Sequence, residues 1–267
     1  MKVVDYHVHS NNSFDGKNSI EEMCKKAIEI NLSEICFTEH FSVDPRDVSY
    51  HVLNYEKYFS EIEKAKEKFS DKIKIKCGLE IGEPHLEQYK KDLEKEMKRM
   101  NLDFIIGSIH NIDGVKLRLY MQNKNKYDIY YNYFNEIYEM VKNSDIDIVG
   151  HMDLMKRYAY EIYGNYNFND YKEVIEKILK EVISREIGIE INGSGFFNKV
   201  GESYPSKEIL VLYKNLGGEI ITVGSDSHFC ESLAEYNAKM IELLKEIGFK
   251  YIFTYEKRKK IPLKIWF

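Results

Sequence analysis

The chain has 267 residues and lacks several features that would have directed its interpretation elsewhere. Its four cysteines, Cys24, Cys36, Cys77 and Cys230, are far apart and form no CxxC pair, so no disulfide framework is indicated. Cys36 and Cys77 fall inside strand-like apolar runs, where a buried thiol is expected. There are only four prolines and no low-complexity linker, so one domain spanning residues 1–267 is expected. No apolar run approaches the ~20 residues needed to cross a bilayer. The opening Met1-Lys2-Val3-Val4-Asp5 leads into a strand-like run and not a signal peptide, which makes a reducing cytoplasm the expected compartment and excludes a membrane partner. An excess of either charge is also missing. With 39 basic and 44 acidic residues the net charge is −5, and nucleic acid is not an expected partner. The Lys-rich stretches at 64–68, 90–99 and 257–260 alternate with Glu and read as solvated helix faces or a tail.

What the chain does have is alternation. Short β-branched runs, ending at residues 6, 38, 79, 109, 149, 191 and 224, are separated by longer amphipathic segments, the pattern of βα units around a parallel sheet. Helices are expected from Asn18-Ser19 onward, with Glu21 and Glu22 in the first turn, and at 54–69, 86–100, 127–143, 169–186, 206–216 and 232–247. The length suits a single (β/α) barrel, a fold that often takes about 250 residues. An eighth run, Tyr251–Thr254, carries no candidate ligand and is expected to be an outer strand. The longest connections, 111–130 and 193–206, both follow strand C-termini, where barrel active sites are built.

Six of the eight histidines follow these strand-like runs. His7 and His9 close the first, His40 the second, His110 the fourth and His151 the fifth, while His228 follows the last together with Asp226. Glu80 stands at the end of the third. Strand side chains alternate, so His7-Val8-His9 puts two imidazoles on one face, and Asp226-Ser227-His228 repeats that spacing. Imidazoles and carboxylates are ligands for borderline and hard divalent metals, and a closed parallel barrel brings its strand C-termini to one face. With Asp15 in the Ser13-Phe14-Asp15-Gly16 turn, the set reaches nine ligands. That is more than one or two ions need, and it points to three. The remaining histidines have plainer readings: His85 starts a helix at the surface, and His51 is solvent-exposed. Asp153 and Lys156 read as helix-start and surface residues.

These residues carry a resemblance. Asp5-Tyr6-His7-Val8-His9-Ser10, Phe37-Thr38-Glu39-His40, Gly78-Leu79-Glu80-Ile81-Gly82-Glu83, Gly107-Ser108-Ile109-His110, Gly150-His151-Met152-Asp153, Glu190-Ile191-Asn192 and Gly224-Ser225-Asp226-Ser227-His228 together resemble the polymerase-and-histidinol-phosphatase (PHP) family, in its stand-alone histidinol-phosphatase branch. The resemblance implies a distorted seven-stranded (β/α) barrel, TIM-like, with three divalent metal ions (zinc, manganese or iron). It implies that His7, His9, Glu80 and Asp226 hold one ion, that Glu80 bridges to a second held by His110 and His151, and that Asp15, His40 and His228 hold the third. Asp15, His40, Glu80 and His228 would thereby take part in catalysis as well. The implied reaction is hydrolysis of a small-molecule phosphate monoester, histidinol phosphate, by water ionised on the metals, as a step of histidine synthesis.

Two features bear on the substrate. Arg157 lies in the stretch Met155-Lys156-Arg157-Tyr158, where related phosphatases resemble one another, and its guanidinium suits either bidentate phosphate binding or a structural ion pair. After the sixth strand the relatives carry an arginine where this chain has Phe197, in Gly193-Ser194-Gly195-Phe196-Phe197. Lys199 is then the candidate replacement for the missing charge, and Phe196 and Phe197 are candidates to line a pocket for a flat leaving group. Alternatives are a PHP phosphoesterase for another ester, such as a nucleotide or sugar phosphate, and a non-enzymatic metal-stabilised scaffold.

Overall fold

The computed structural model describes residues 3–266, so Lys2, where the first strand-like run begins, lies outside the described residues. Seven parallel strands form one sheet: β1 (Val4–Val8), β2 (Glu34–Phe41), β3 (Lys74–Gly82), β4 (Phe104–Ser108), and, after a short hairpin β5 (Asn111–Ile112) and β6 (Val115–Lys116), β7 (Ile148–Val149), β8 (Gly188–Asn192) and β9 (Ile221–Gly224). Neighbours in space follow chain order, as successive right-handed βα units require. The two edges then meet. Val8 bridges Ser227, and the amides of His9 and Asp226 donate to the carbonyls of Ser227 and His7, both at 2.8 Å. The result is the expected seven-stranded barrel, closed by only this short seam.

Two strands run three residues past their expected ends. β2 reaches Phe41 and β3 reaches Gly82, and their unbroken register pairs His40 with Glu80. Two site candidates therefore stand on the ladder itself.

The helices are α1 (Ile20–Glu29), α2 (Tyr55–Phe69), α3 (Lys90–Met97), α4 (Leu117–Tyr120), α5 (Lys126–Asn143), α6 (Met155–Tyr163), α7 (Phe168–Ser184), α8 (Lys207–Asn215) and α9 (Asn237–Ile247). α1 opens with a capping box, Ser19 and Glu22 each accepting from the other's amide. α4 and α6 were not anticipated. α6 follows directly on the His151 turn and is too short for its period to stand out. The eighth run forms β10 (Tyr251–Glu256), paired antiparallel with an unanticipated β11 (Lys259–Lys264). This hairpin covers the N-terminal end of the barrel: Arg258 and Lys257 bond Asp103 just before β4, and Tyr255 shares hydrogen bonds with Tyr6. No described helix is long and apolar enough to cross a membrane.

Candidate metal centre

Glu80 is the hub. It is buried on β3, and its two oxygens face different groups. Oε2 lies 2.8 Å from His40 Nδ1, 3.4 Å from His7 Nε2 and 3.6 Å from His9 Nε2. Oε1 lies 2.8 Å from His151 Nε2 and 3.2 Å from His110 Nε2, and accepts from Ser108 Oγ at 2.6 Å. Asp226 Oδ1 completes the first side, 3.6 and 3.5 Å from the Nε2 atoms of His7 and His9. A third set lies nearer solvent. Asp15 Oδ1 is 3.6 Å from His40 Nε2 and 3.4 Å from His228 Nε2, and those two nitrogens are 3.4 Å apart. All nine candidates thus converge in one cluster at the strand C-termini.

The donor set fits cations. Of the buried polar atoms, His7 Nε2, His9 Nε2 and Glu80 Oε2 have no hydrogen-bond partner, nor does His151 Nδ1. Unpartnered buried polar atoms are costly, and several aimed at one point call for a shared occupant. Three histidines (His9, His40, His228), and likewise His7, His9 and Glu80, or His40, Glu80 and His110, place their donor atoms close enough to hold one ion between them.

The electrostatics agree. Burial opposes charge on Glu80, but His110, His7 and His40 outweigh it and hold its carboxyl well below the ordinary range. Burial likewise opposes charge on His7, and Glu190, Glu80 and Asp226 overcome it and keep that imidazole well above its ordinary value. For His40, burial is outweighed by Glu80 and Asp15, which raise it to about 10. His9 is the exception: burial and the neighbouring His40 and His228 push it well below.

Around these stand residues to which the sequence reading gave no role. Glu190 on β8 accepts from His7 Nδ1 at 2.7 Å and from the His151 amide at 2.9 Å, so His7 must present Nε2 to the cluster. Gly224 makes this possible, because a Cβ there would come within 2.2 Å of Glu190 and 2.4 Å of His7. Glu39, beside His40, accepts from Ser10 and from Ser13 Oγ at 2.5 Å, and Ser13 Oγ lies 3.2 Å from His9 Nδ1. Burial pushes Glu39 up to about 7. Glu83 receives the amides of His110 and Asn111. For Glu190 and Glu39, a carboxylate inside an apolar strand-like run is the available signal, since such groups are seldom buried without a partner.

The cluster floors a cleft of about 380 Å³, walled by Phe14, Val48, Leu117, Arg157 and Tyr158. Arg157 Nη2 donates to Ser194 Oγ at 2.5 Å and lies 3.4 Å from Asp226 Oδ2. Lys199 is not brought to this cleft. It is 73% exposed and pairs with Glu161 at 2.8 Å, which corrects its expected place beside the substrate. Phe196 and Phe197 also turn away, packing on Tyr236 at 4.7 and 4.9 Å. Lys156 corrects a second expectation, being buried and not at the surface, and Asp153 is buried with it. His85 corrects a third expectation: its side chain is only 7% exposed and bonded to Glu136 at 2.9 Å, and it does not start a helix at the surface, while His51 is exposed.

A seven-stranded (β/α) barrel with a histidine and carboxylate cluster at its strand C-termini defines a metal-binding enzyme scaffold. The family model for the PHP domain matches residues 5–194, and the chain belongs to this family. It is 33% identical over 264 residues to a histidinol-phosphatase of Lactococcus lactis, covering 96% of this chain and 95% of that one. A histidinol-phosphatase of Saccharomyces cerevisiae is 24% identical, covering 84% and 82%. The crystal structure of the histidinol phosphate phosphatase from Lactococcus lactis, complexed with zinc, L-histidinol and phosphate, superposes with a TM-score of 0.89 at 31% identity, covering 97% of this chain and 99% of that one.

Proposed function

We propose that the chain is a metal-dependent phosphomonoesterase that hydrolyses histidinol phosphate to histidinol and phosphate. The observation that carries this is the convergence of five imidazoles on Glu80, with Asp226, His228 and Asp15 beside them and buried donor atoms left unpartnered. Full-length similarity to an enzyme of that name supports the choice of substrate. His7, His9, Glu80 and Asp226 would hold one cation, Glu80 with His110 and His151 a second, and Asp15, His40 and His228 a third. When bound, divalent cations such as zinc supply charge neutralisation to the phosphate and lower the pKa of a water. The protein does the rest. Glu190 fixes the tautomer of His7, Glu39 acts on that of His9 through Ser13 Oγ, and Arg157, resting on Ser194, offers its guanidinium to a phosphate oxygen. Phe14, stacked 5.1 Å from His40, and Val48 form a wall suited to the imidazole ring carried by the histidinol leaving group.

A second reading, another phosphate ester, is favoured by the mouth of the cleft. Neither Phe197 nor Lys199 supplies a cation there, whereas exposed Lys116 and Arg118 line it, a setting that suits a further anionic group. Steady-state assays with zinc, manganese or iron would compare histidinol phosphate with p-nitrophenyl, sugar and nucleotide phosphates. Preference for histidinol phosphate by about a hundredfold in kcat/KM is expected. Turnover no better than that of p-nitrophenyl phosphate would transfer the assignment to the second reading. Loss of turnover in His110→Ala would eliminate a purely scaffolding role.

A further inference from the structure

Lys156 precedes Arg157 in the first turn of α6, yet it is buried with only 1% of its side chain exposed. Its ammonium spends all three donors on protein acceptors: Asp153 Oδ2 at 2.9 Å, Glu202 Oε1 at 2.9 Å and the Ser203 carbonyl at 3.0 Å. Asp153 Oδ2 also accepts from Tyr166 Oη and from the Ser206 amide, each at 3.0 Å. The start of α6 is thereby riveted to residues 202–206, the far end of the connection that follows β8.

The near end of that connection carries the seat of Arg157. Ser194 Oγ accepts from the guanidinium and donates to Asn192 Oδ1 at 2.6 Å, and Asn192 is bridged to Tyr204 through the backbone. The ring of Tyr204 lies beneath both cations, 5.1 Å from Lys156 Nζ and 5.4 Å from Arg157 Cζ. One loop therefore grips Lys156 at one end and seats Arg157 at the other.

Stability alone is a poor reason for this arrangement. Desolvating the Lys156 ammonium and the Asp153 carboxylate costs about what their attraction returns, and apolar residues of the same volume commonly serve as well. Such a triad does fix geometry, since Lys156 has all three donors met in a single arrangement and Asp153 Oδ2 gathers three donors, while Asp153 Oδ1 is buried without a partner. We propose that Lys156, with Asp153 and Glu202, is a positioning residue that holds Arg157 at the phosphate subsite, so that its removal weakens phosphate binding through Arg157. This rests on the reading of Arg157 as a phosphate-binding residue.

The test is a double-mutant cycle on the full-length, metal-loaded enzyme, with inorganic phosphate as the probe and its inhibition constant as the readout. The pair Asp153→Asn and Lys156→Met removes both buried charges together, so neither is left stranded. It is expected to raise KM and the phosphate inhibition constant about tenfold, with kcat within about threefold and bound metal unchanged. In an Arg157→Ala background the same pair is expected to change the inhibition constant less than about twofold. Glu202→Gln, at the solvent edge of the triad, should give a weaker rise of about threefold and serves if the pair fails to fold. An equal rise with and without Arg157, or a lowered melting temperature with unchanged phosphate inhibition, would overturn the positioning role. If Arg157→Ala alone leaves phosphate inhibition unchanged, the phosphate-binding reading of Arg157 itself falls, and the positioning role with it.

Discussion

The two ends of the barrel treat buried charge in opposite ways. At the N-terminal end each carboxylate is met by protein. Asp103 accepts from the Cys77 and Lys257 amides, Asp147 accepts from the Ile105 amide at 2.7 Å and Arg258 Nε at 2.6 Å, and Glu34 receives the hydroxyl of Tyr6. Phe104 and Tyr255 pack on Tyr6 from two sides. At the C-terminal end imidazoles and carboxylates crowd around Glu80 and leave donor atoms unpartnered. At one end the polypeptide meets the carboxylates, with Tyr255 Oη left unpartnered among them; the other is built to be finished by cations. This matches the division of labour in (β/α) barrels, stability below and chemistry above.

The largest expected effect breaks the upper end at its hub. Glu80→Gln keeps the shape but removes the charge shared by both sides of the cluster. A loss of about 10³-fold in kcat/KM is expected, with metal content falling in elemental analysis. The barrel itself should persist in circular dichroism, because the lower end is untouched. Retained activity with full metal would remove Glu80 from the centre. Next comes a change one layer out. Glu190→Gln frees His7 to take the other tautomer, and Gly224→Ala forces a methyl between the two residues. Each should cost about 10–100-fold in metal affinity, read by chelator competition, with KM for substrate nearly unchanged at saturating metal.

A third effect separates the ends by pH. Below its unfolded value near 6.5, His40 is protonated in both states; its folded value is raised to about 10, so in metal-free protein its contribution is complete below pH 6.5 and is lost as pH rises through 10. His7, His110 and His228 are raised as well. Cations must displace those protons. Apparent metal affinity should therefore climb between pH 6.5 and 10, about tenfold per unit for each proton displaced, with proton release measurable in weakly buffered titrations. A flat profile would mean the imidazoles already stand deprotonated.

How much of this was legible in the sequence depends on whether a residue speaks through its local pattern. His7 and His9, Asp226 and His228 declare themselves by x+2 spacing at strand ends, and the βα alternation carries the barrel. Lys156 could not be read this way. A lysine in a polar stretch looks exposed, and its partner Glu202 lies 46 residues away, visible only once the loop folds back. Lys199 failed for the converse reason: Glu161, on the neighbouring helix, claims its charge. Phe196 and Phe197 were read against a relative's arginine, but Tyr236 decides their direction. Glu190 stood in a quoted motif and still received no role, because the sequence does not tell a carboxylate that binds metal from one that orients a ligand.

The smallest effect on activity, and the sharpest test of the lower end, is Asp147→Asn. Burial raises Asp147 to about 6 even against the attraction of Arg258. For an acid this is the less usual direction. The folded state holds the proton more tightly than the unfolded chain, so its contribution is complete below about pH 3.8 and declines as pH rises to about 6. Asparagine has no such proton to lose. The difference in unfolding free energy between wild type and variant should therefore move by about 2–3 kcal/mol in the variant's favour between pH 4 and pH 7, then level off. Taking the difference cancels the histidines at the other end, which both proteins share. Urea titrations across that range would measure it, while kcat/KM should stay within about twofold throughout. A difference that does not vary with pH would mean that Arg258 fully compensates the buried carboxylate, and that the lower end carries no pH-dependent cost.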